Sequence, residues 1–252
     1  MQSKPNDWYK HCWTLDIQNQ SWTESTVQQV DFLIEKLNLS GNERILDLAC
    51  GFGRHALEFA RRGCNVTGVD ITPAYIDYAQ KTAHTENLPA QFICSDLRSV
   101  SFSEEFDLVL NMADGAIGYL ENDAENEKIF DLVARSLKHG GKHFMDIMNA
   151  EYADSHFPCR LWEAGANGLT LSTFEWNPQT RILLYGQLDY LYGTVLPKPE
   201  FPAGDPIRLY TPAEIRGIMT HRGMAVRNTW SDFSGAPAPP NAIQQMVFSE
   251  KL

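Results

Sequence analysis

Between Thr26 and Leu39 the apolar residues Val27, Val30, Leu33, Ile34 and Leu37 recur at intervals of three and four. That spacing predicts an amphipathic helix, ended by Ser40-Gly41-Asn42. A short apolar run from Arg44 to Cys50 then predicts a strand, and Arg54–Arg62 a helix. The rhythm repeats down the chain. Strands are expected over Asn65–Asp70, Ala90–Asp96, Phe106–Asn111 and Lys142–Asn149. A helix opens at Pro73 with Thr72 as N-cap, proline being favoured at the first helical position. Another is expected from Asn122 to Gly141, with Gly140-Gly141 as its C-cap. Strands alternating with helices of this length predict an α/β fold with a parallel sheet covered on both faces.

The rhythm breaks after Asn149. No helical period is expected from Glu151 to Pro206. Residues 169–193 read instead as two strands around the turn Asn177-Pro178-Gln179-Thr180, a hairpin. Thr211, Pro212 and Glu214 open a last helix with a capping box, and Ala225–Trp230 and Ala242–Lys251 read as closing strands. The expected organisation is a segment 1–25, a main domain of 26–150 plus 207–252, and an antiparallel lobe, 151–206, inserted into it.

Charge narrows the partners. A formal net charge of −11 and a pI near 5.0 set the surface against phosphate backbones, and no basic cluster exceeds Arg61-Arg62. A small-molecule substrate is expected, with neither nucleic acid nor membrane as partner. The N-terminal stretch has no apolar core of a signal peptide, and no run reaches the ~18 apolar residues of a membrane span. Five cysteines without C-x-x-C spacing suit reduced thiols in a cytoplasmic protein. No His/Cys/carboxylate cluster has metal-ligand spacing.

The candidate chemistry lies at Ile45–Gly63, ILDLACGFGRHALEFARRG, where two glycines mark a strand-to-helix turn. A phosphate loop needs a lysine after its last glycine; Arg54-His55 follow Gly53 here. A dinucleotide turn fits better, since Gly51 to Ala56 read G-x-G-x-x-A and Asp70 lies 70 − 51 = 19 residues beyond the first glycine. Two acids argue against it. Asp47, at the end of the first strand, would repel a pyrophosphate but suits the α-ammonium and cationic sulfur of S-adenosylmethionine. Asp96, at the end of the third strand, could reach an adenine amine.

These residues resemble motifs of the class I S-adenosylmethionine-dependent methyltransferases. D-x-A-C-G-x-G (Asp47–Gly53) resembles motif I, GVDIT (Gly68–Thr72) motif II, CSDLR (Cys94–Arg98) motif III and FDLVLNMAD (Phe106–Asp114) motif IV. SLKHGGKHFMDIM (Ser136–Met148) is similar to the stretch before strand five. The resemblance implies a Rossmann-like, seven-stranded, mostly parallel sheet, S-adenosyl-L-methionine as cofactor, and methyl transfer. GFGRHALEFARRG, GYL (Gly118–Leu120) and RLYTPAEI (Arg208–Ile215) further resemble a bacterial small-molecule subgroup that carries an antiparallel lobe over the active site, several members of which act on amines, including amino sugars and amino acids.

On this reading Gly51 and Gly53 let the backbone approach the methionine part, with Cys50 a small residue between them and Asp47. Asp70 holds the ribose hydroxyls, or caps the following helix. Ile71 and Leu97 sandwich the adenine, Asp96 meets its amine, and Asn111 and Met112 border the cofactor. Tyr9 or Trp22 closes the pocket, or simply packs. For catalysis His11, His55, Asp114, Tyr119 and His143 are the candidate bases; Asp114 and Tyr119 are best placed, as base or as acceptor-binding groups. The aromatics Phe174, Trp176, Tyr185, Tyr190 and Tyr192 could line an acceptor pocket, alternate ones sharing a face. A small polar acceptor methylated on nitrogen rather than oxygen is expected. The alternatives are an NAD-dependent oxidoreductase and a non-catalytic S-adenosylmethionine-binding protein. No Pro-Pro-aromatic run follows strand four, so base-amino methylation is set aside, and Pro158-Cys159 lies after strand five, away from where a cytosine nucleophile would stand.

Overall fold

The apolar runs become strands of one sheet in the computed structural model, which describes residues 1–201, 203–239 and 242–252. In chain order the elements are β1 (Gln2–Ser3), α1 (Thr26–Lys36), β2 (Arg44–Leu48), α2 (Arg54–Arg61), β3 (Asn65–Asp70), α3 (Pro73–Thr85), β4 (Ala90–Cys94), β5 (Phe106–Asn111), α4 (Asp123–Ser136) and β6 (Leu137–Met148). They continue with α5 (Ala150–His156), β7 (Cys159–Ala164), β8 (Gly168–Asn177), β9 (Ile182–Leu191), β10 (Ala203–Arg208), α6 (Pro212–His221), β11 (Met224–Trp230) and β12 (Gln244–Lys251). Seven strands form the main sheet in the order β11-β12-β6-β5-β2-β3-β4. The run from β6 to β4 is parallel; β12 is antiparallel to both β6 and β11. A second sheet, β1-β10-β9-β8-β7, is antiparallel except where β1 meets β10. No helix among the described residues is long and apolar enough to cross a membrane.

Strand alternation splits the core into two layers. Ile45, Leu108, Leu110 and Phe144 face one side, with Val30 and Leu33 of α1, Phe59 of α2 and Ile76 of α3. Leu46, Leu48, Val109, Met145 and Ile147 face the other, with Phe130 and Val133 of α4 and Ile215 and Met219 of α6. A third cluster joins Trp8 and Tyr9 to Phe174, Leu183 and Ile207 of the second sheet, so the N-terminal segment is packed onto that sheet.

Two expectations are corrected. Helix α4 stops at Ser136, and the chain passes straight into β6 at Leu137, five residues earlier than read. The register against β5 shifts between Phe106–Leu137 and Leu108–Lys142. Gly140, at φ +73°, serves that irregularity rather than a helix cap. Sheet pairing of Leu137 thus overrides the local helical period. The second correction is α5, a seven-residue helix where none was expected. Asn149 caps it by accepting the Glu151 N–H at 3.0 Å, and it is too short to show a period.

Candidate active site

The parallel strands open at their carboxyl ends into a cavity of about 650 Å³, the end of an α/β sheet where ligands bind. The N-terminal segment between Lys4 and Trp22 lies over it, and the second sheet forms one wall.

The turn from β2 to α2 is built from left-handed residues, Ala49 at φ +55°, Gly51 at +57° and Gly53 at +82°. A Cβ on Gly51 would meet nothing within 4 Å, so bare backbone faces the open cavity. Its N–H donates to Asp70 Oδ2 at 2.9 Å, while the Thr72 N–H donates to Asp70 Oδ1 at 2.8 Å. Burial raises the Asp70 carboxyl, opposed by those two bonds. Asp47 is buried deeper. Burial pushes its carboxyl up to about 7, the Asp70 charge adds to the rise, and Arg54 and the Ala56 N–H oppose it. Asp47 Oδ2 has no partner. An orphaned carboxylate oxygen beside open backbone fits the ammonium end of S-adenosylmethionine and would repel a pyrophosphate.

Arg54, the first residue of α2, donates to Thr26 Oγ1 at 2.9 Å and Gln29 Oε1 at 2.6 Å. Its guanidinium lies 5.2 Å from the centroid of the Trp22 ring, which fixes Trp22 at the cavity rim. At the other end Asp96 accepts from the Arg98 N–H and Nε at 2.9 Å and from Nη2 at 2.6 Å. Arg98 also binds Glu121 and Glu125 and donates to Tyr9 Oη at 3.1 Å. Tyr9 donates in turn to Glu121 at 3.0 Å, so Arg98 fastens the N-terminal segment over the cavity.

After β5 the chain makes a left-handed turn. Ala113, Asp114, Gly115 and Ala116 have φ of +51°, +67°, +54° and +64°. This conformation costs roughly 1–2 kcal/mol per non-glycine residue, a strain typical of functional sites. The Asp114 N–H donates to the Asp146 carbonyl at 2.7 Å, and Asn111 Nδ2 to the Gly115 carbonyl at 2.8 Å, which hold the turn. Asp114 and Tyr119 both line the cavity, Tyr119 Oη donating to Asp114 Oδ2 at 3.2 Å. Burial pushes the Asp114 carboxyl up to about 6, and the tyrosine hydroxyl moderates the rise. Asp146 enters from β6, where it accepts from Gln244 Nε2 at 2.7 Å. Burial and the Asp114 charge push it up to about 7.

Of the residues read from the sequence, the cavity gathers Tyr9, Trp22, Asp47, Cys50, Gly51, Asp70, Ile71, Asp96, Leu97, Met112, Asp114 and Tyr119. Gly53 and Asn111 are corrections; neither lines it. A Cβ on Gly53 would stand 3.0 Å from Ala79 Cβ and from Phe92, so this glycine closes the turn onto α3 and β4. Asn111 is fully buried and supports the left-handed turn, its Oδ1 3.1 Å from His143 Nε2. His143 is buried with its pKa pushed down to about 3, and His11 is exposed; both lie outside the lining. His55 borders the cavity but is buried and held by Gln29 at 2.8 Å. Of the second-sheet aromatics only Phe174 and Tyr185 line the cavity, paired across β8 and β9; Trp176, Tyr190 and Tyr192 do not. Asp146, Arg54, Trp8 and Asp205 were not read from the sequence.

Gly53→Ala is expected to destabilise the fold by about 1–2 kcal/mol through left-handed strain and the Phe92 contact. Cofactor affinity in the folded fraction should stay within about threefold, because position 53 faces the core. Thermal denaturation and titration of the same sample check both.

Comparison with known proteins agrees with this geometry. Residues 45–141 match the family described as Methyltransferase domain. The chain is 30% identical over 152 residues to the Bacillus subtilis protein YqeM, named as a methyltransferase, an alignment covering 53% of this chain and 61% of YqeM. It thus spans about three-fifths of that relative's length. A solved S-adenosylmethionine-dependent methyltransferase of Clostridium acetobutylicum superposes with TM-score 0.73 at 18% identity, covering 89% of this chain and 91% of that one. The CcbJ methyltransferase of Streptomyces caelestis does so with TM-score 0.73 at 16% identity, covering 98% and 95%, which takes in both sheets. The chain therefore has the α/β fold of the solved S-adenosylmethionine-dependent methyltransferases, and its residues 45–141 are similar to the methyltransferase-domain family.

Proposed function

We propose that the protein transfers a methyl group from S-adenosylmethionine to nitrogen on a small polar acceptor. The observation that carries the reading is the unpartnered Asp47 oxygen beside the open Gly51 backbone, with Asp70 held by two backbone N–H groups a short way along the same wall. In that place the cofactor supplies a methyl carbon made electrophilic by sulfonium. Asp47 would meet its ammonium, Asp70 the ribose hydroxyls, and Asp96, Ile71 and Leu97 the adenine. Met112 and Cys50 border it. Tyr9 and Trp22 close the cavity and exclude water.

Nitrogen is favoured over oxygen by the acceptor end. A hydroxyl would need a strong base, and His55 is kept neutral and bonded to Gln29. Among the groups that line the cavity, Asp114 and Asp146 suit an ammonium and can take its proton. The nitrogen lone pair then forms the N–C bond as the C–S bond breaks toward sulfur; the products are S-adenosylhomocysteine, the methylated amine and a proton passed to solvent. Asp114 and Tyr119 are the proposed catalytic residues, in-line placement contributing most of the rate. Segment 1–25 would be the cover, 26–150 with 207–252 the cofactor domain, and 151–206 the acceptor lobe. Five free cysteines, with no disulfide, favour a reducing cytoplasmic setting.

Calorimetric titration with S-adenosylmethionine and separately NAD tests the reading. Micromolar affinity for the first alone, followed by S-adenosylhomocysteine formation on an amine, is expected. Affinity for NAD alone would hand the turn to the dinucleotide alternative, and tight S-adenosylmethionine binding with no turnover would favour the non-catalytic one.

A further inference from the structure

We infer that the acceptor is a cationic amine carrying neither carboxylate nor phosphate, with a neutral oxygen placed to take the Trp8 indole N–H. This rests on nitrogen being the methylated atom. The charge inventory of the cavity carries it. Asp114, Asp146, Asp189 and Asp205 all line it. Among the described residues the cavity is lined by two basic side chains that carry charge, Lys4 and Arg54. Lys4 is spent on Asp205, its Nζ 2.5 Å from Oδ1. Arg54 stands at the cofactor turn, bonded to Thr26 and Gln29, with the charges of Asp47 and Asp146 on it. No cation is left to meet an anionic group on the acceptor, which would face Asp114, Asp146 and Asp189 instead.

The remaining features describe the rest of the molecule. Trp8, Trp13 and Tyr119 form a continuous aromatic wall, with Trp8 and Tyr119 centroids 4.9 Å apart and Trp13 stacked on Tyr119 at 12°. Such a wall favours an apolar or cationic body through its π-faces. Trp8 is only 4% exposed, lines the cavity, and its Nε1–H has no partner. A buried indole N–H seeks an acceptor, and a hydroxyl, ether or amide oxygen supplies one without negative charge.

Matched pairs that differ in one anionic group test this: ethanolamine against phosphoethanolamine, 2-phenylethylamine against phenylalanine, and further pairs built the same way. S-adenosylhomocysteine formation by the full chain is the readout. The member without the anion should have the higher kcat/KM by at least about tenfold. Asp205→Ala, which releases Lys4, should narrow that gap, and Trp8→Phe should weaken oxygen-bearing amines more than plain alkylamines. Preference for the phosphorylated or carboxylated member overturns the inference and leaves nitrogen methylation standing. Turnover of alcohols or phenols alone, or of no compound, overturns both.

Discussion

Asp70→Ala is expected to raise the dissociation constant for S-adenosylmethionine by about a hundredfold or more. Both carboxylate oxygens are pinned by backbone N–H groups, from Gly51 and Thr72, so the side chain cannot turn away from the cavity. Each oxygen keeps a lone pair for a vicinal diol. Hydrogen bonds to a charged acceptor contribute about 1.5–3 kcal/mol each, so losing two corresponds to roughly 10²–10⁴ in affinity. The alanine variant also leaves two N–H groups unpaired beside the turn, at about 1–3 kcal/mol of stability. Asp70→Asn separates the two effects, since its amide oxygen still accepts one N–H while its charge is gone. Calorimetry and thermal unfolding on both variants decide. Unchanged affinity in a folded Asp70→Ala protein would make Asp70 a helix cap and no more.

That the residues proposed for the cofactor gather at one cavity was legible because their determinants are local. Asp47, Gly51 and Asp70 sit at strand ends and a turn, where motif spacing and the two-residue strand period fix the neighbours. Spacing could not say which way each residue of the turn faces, so Gly53 was read as facing the ligand when it packs on Phe92. Asn111 failed for a related reason. The left-handed turn after β5 carries the cavity wall, and Asn111 supports that turn from beneath.

The proposed acceptor half depends on residues far apart in sequence. Asp146 reads as one polar position in the apolar strand Met145–Met148; only its pairing with β12 brings Gln244 to its carboxylate. Trp8 joins through the N-terminal segment, tied down by Tyr9–Glu121–Arg98 and by Tyr75 Oη donating to the Thr14 carbonyl at 3.0 Å. Asp205 lies on β10, whose pairing with β1 no local pattern announces. Long-range pairing has no local signature, which is why β1, β10 and the α4–β6 junction also escaped the sequence.

Asp114→Asn should lower kcat by about 10²–10⁴ and leave the S-adenosylmethionine affinity within a few-fold, because position 114 lies in the proposed acceptor space. Asparagine keeps the shape and can still accept from Tyr119, so the loss isolates the charge. The pH dependence follows from the raised carboxyls, about 6 for Asp114 and about 7 for Asp146. The ionised forms meet the ammonium and take its proton, so kcat/KM should fall as the pH drops through 7 to 6. The two groups titrate as a coupled pair facing Arg54, Tyr119 and Gln244, and removing one should move the remaining limb down in pH. Stability carries the opposite sign. A carboxyl whose folded pKa lies above its unfolded value holds more protons folded than unfolded. Its stabilising contribution is therefore present at low pH and lost as the pH rises through 6 to 7. An uncharged amide at position 114 escapes that loss, so the Asp114→Asn variant should unfold at the same or a higher temperature than the parent at pH 8. Lower activity with undiminished stability is the pattern of a carboxylate kept for chemistry. A variant that unfolds earlier at pH 8 would make Asp114 a structural support of the left-handed turn.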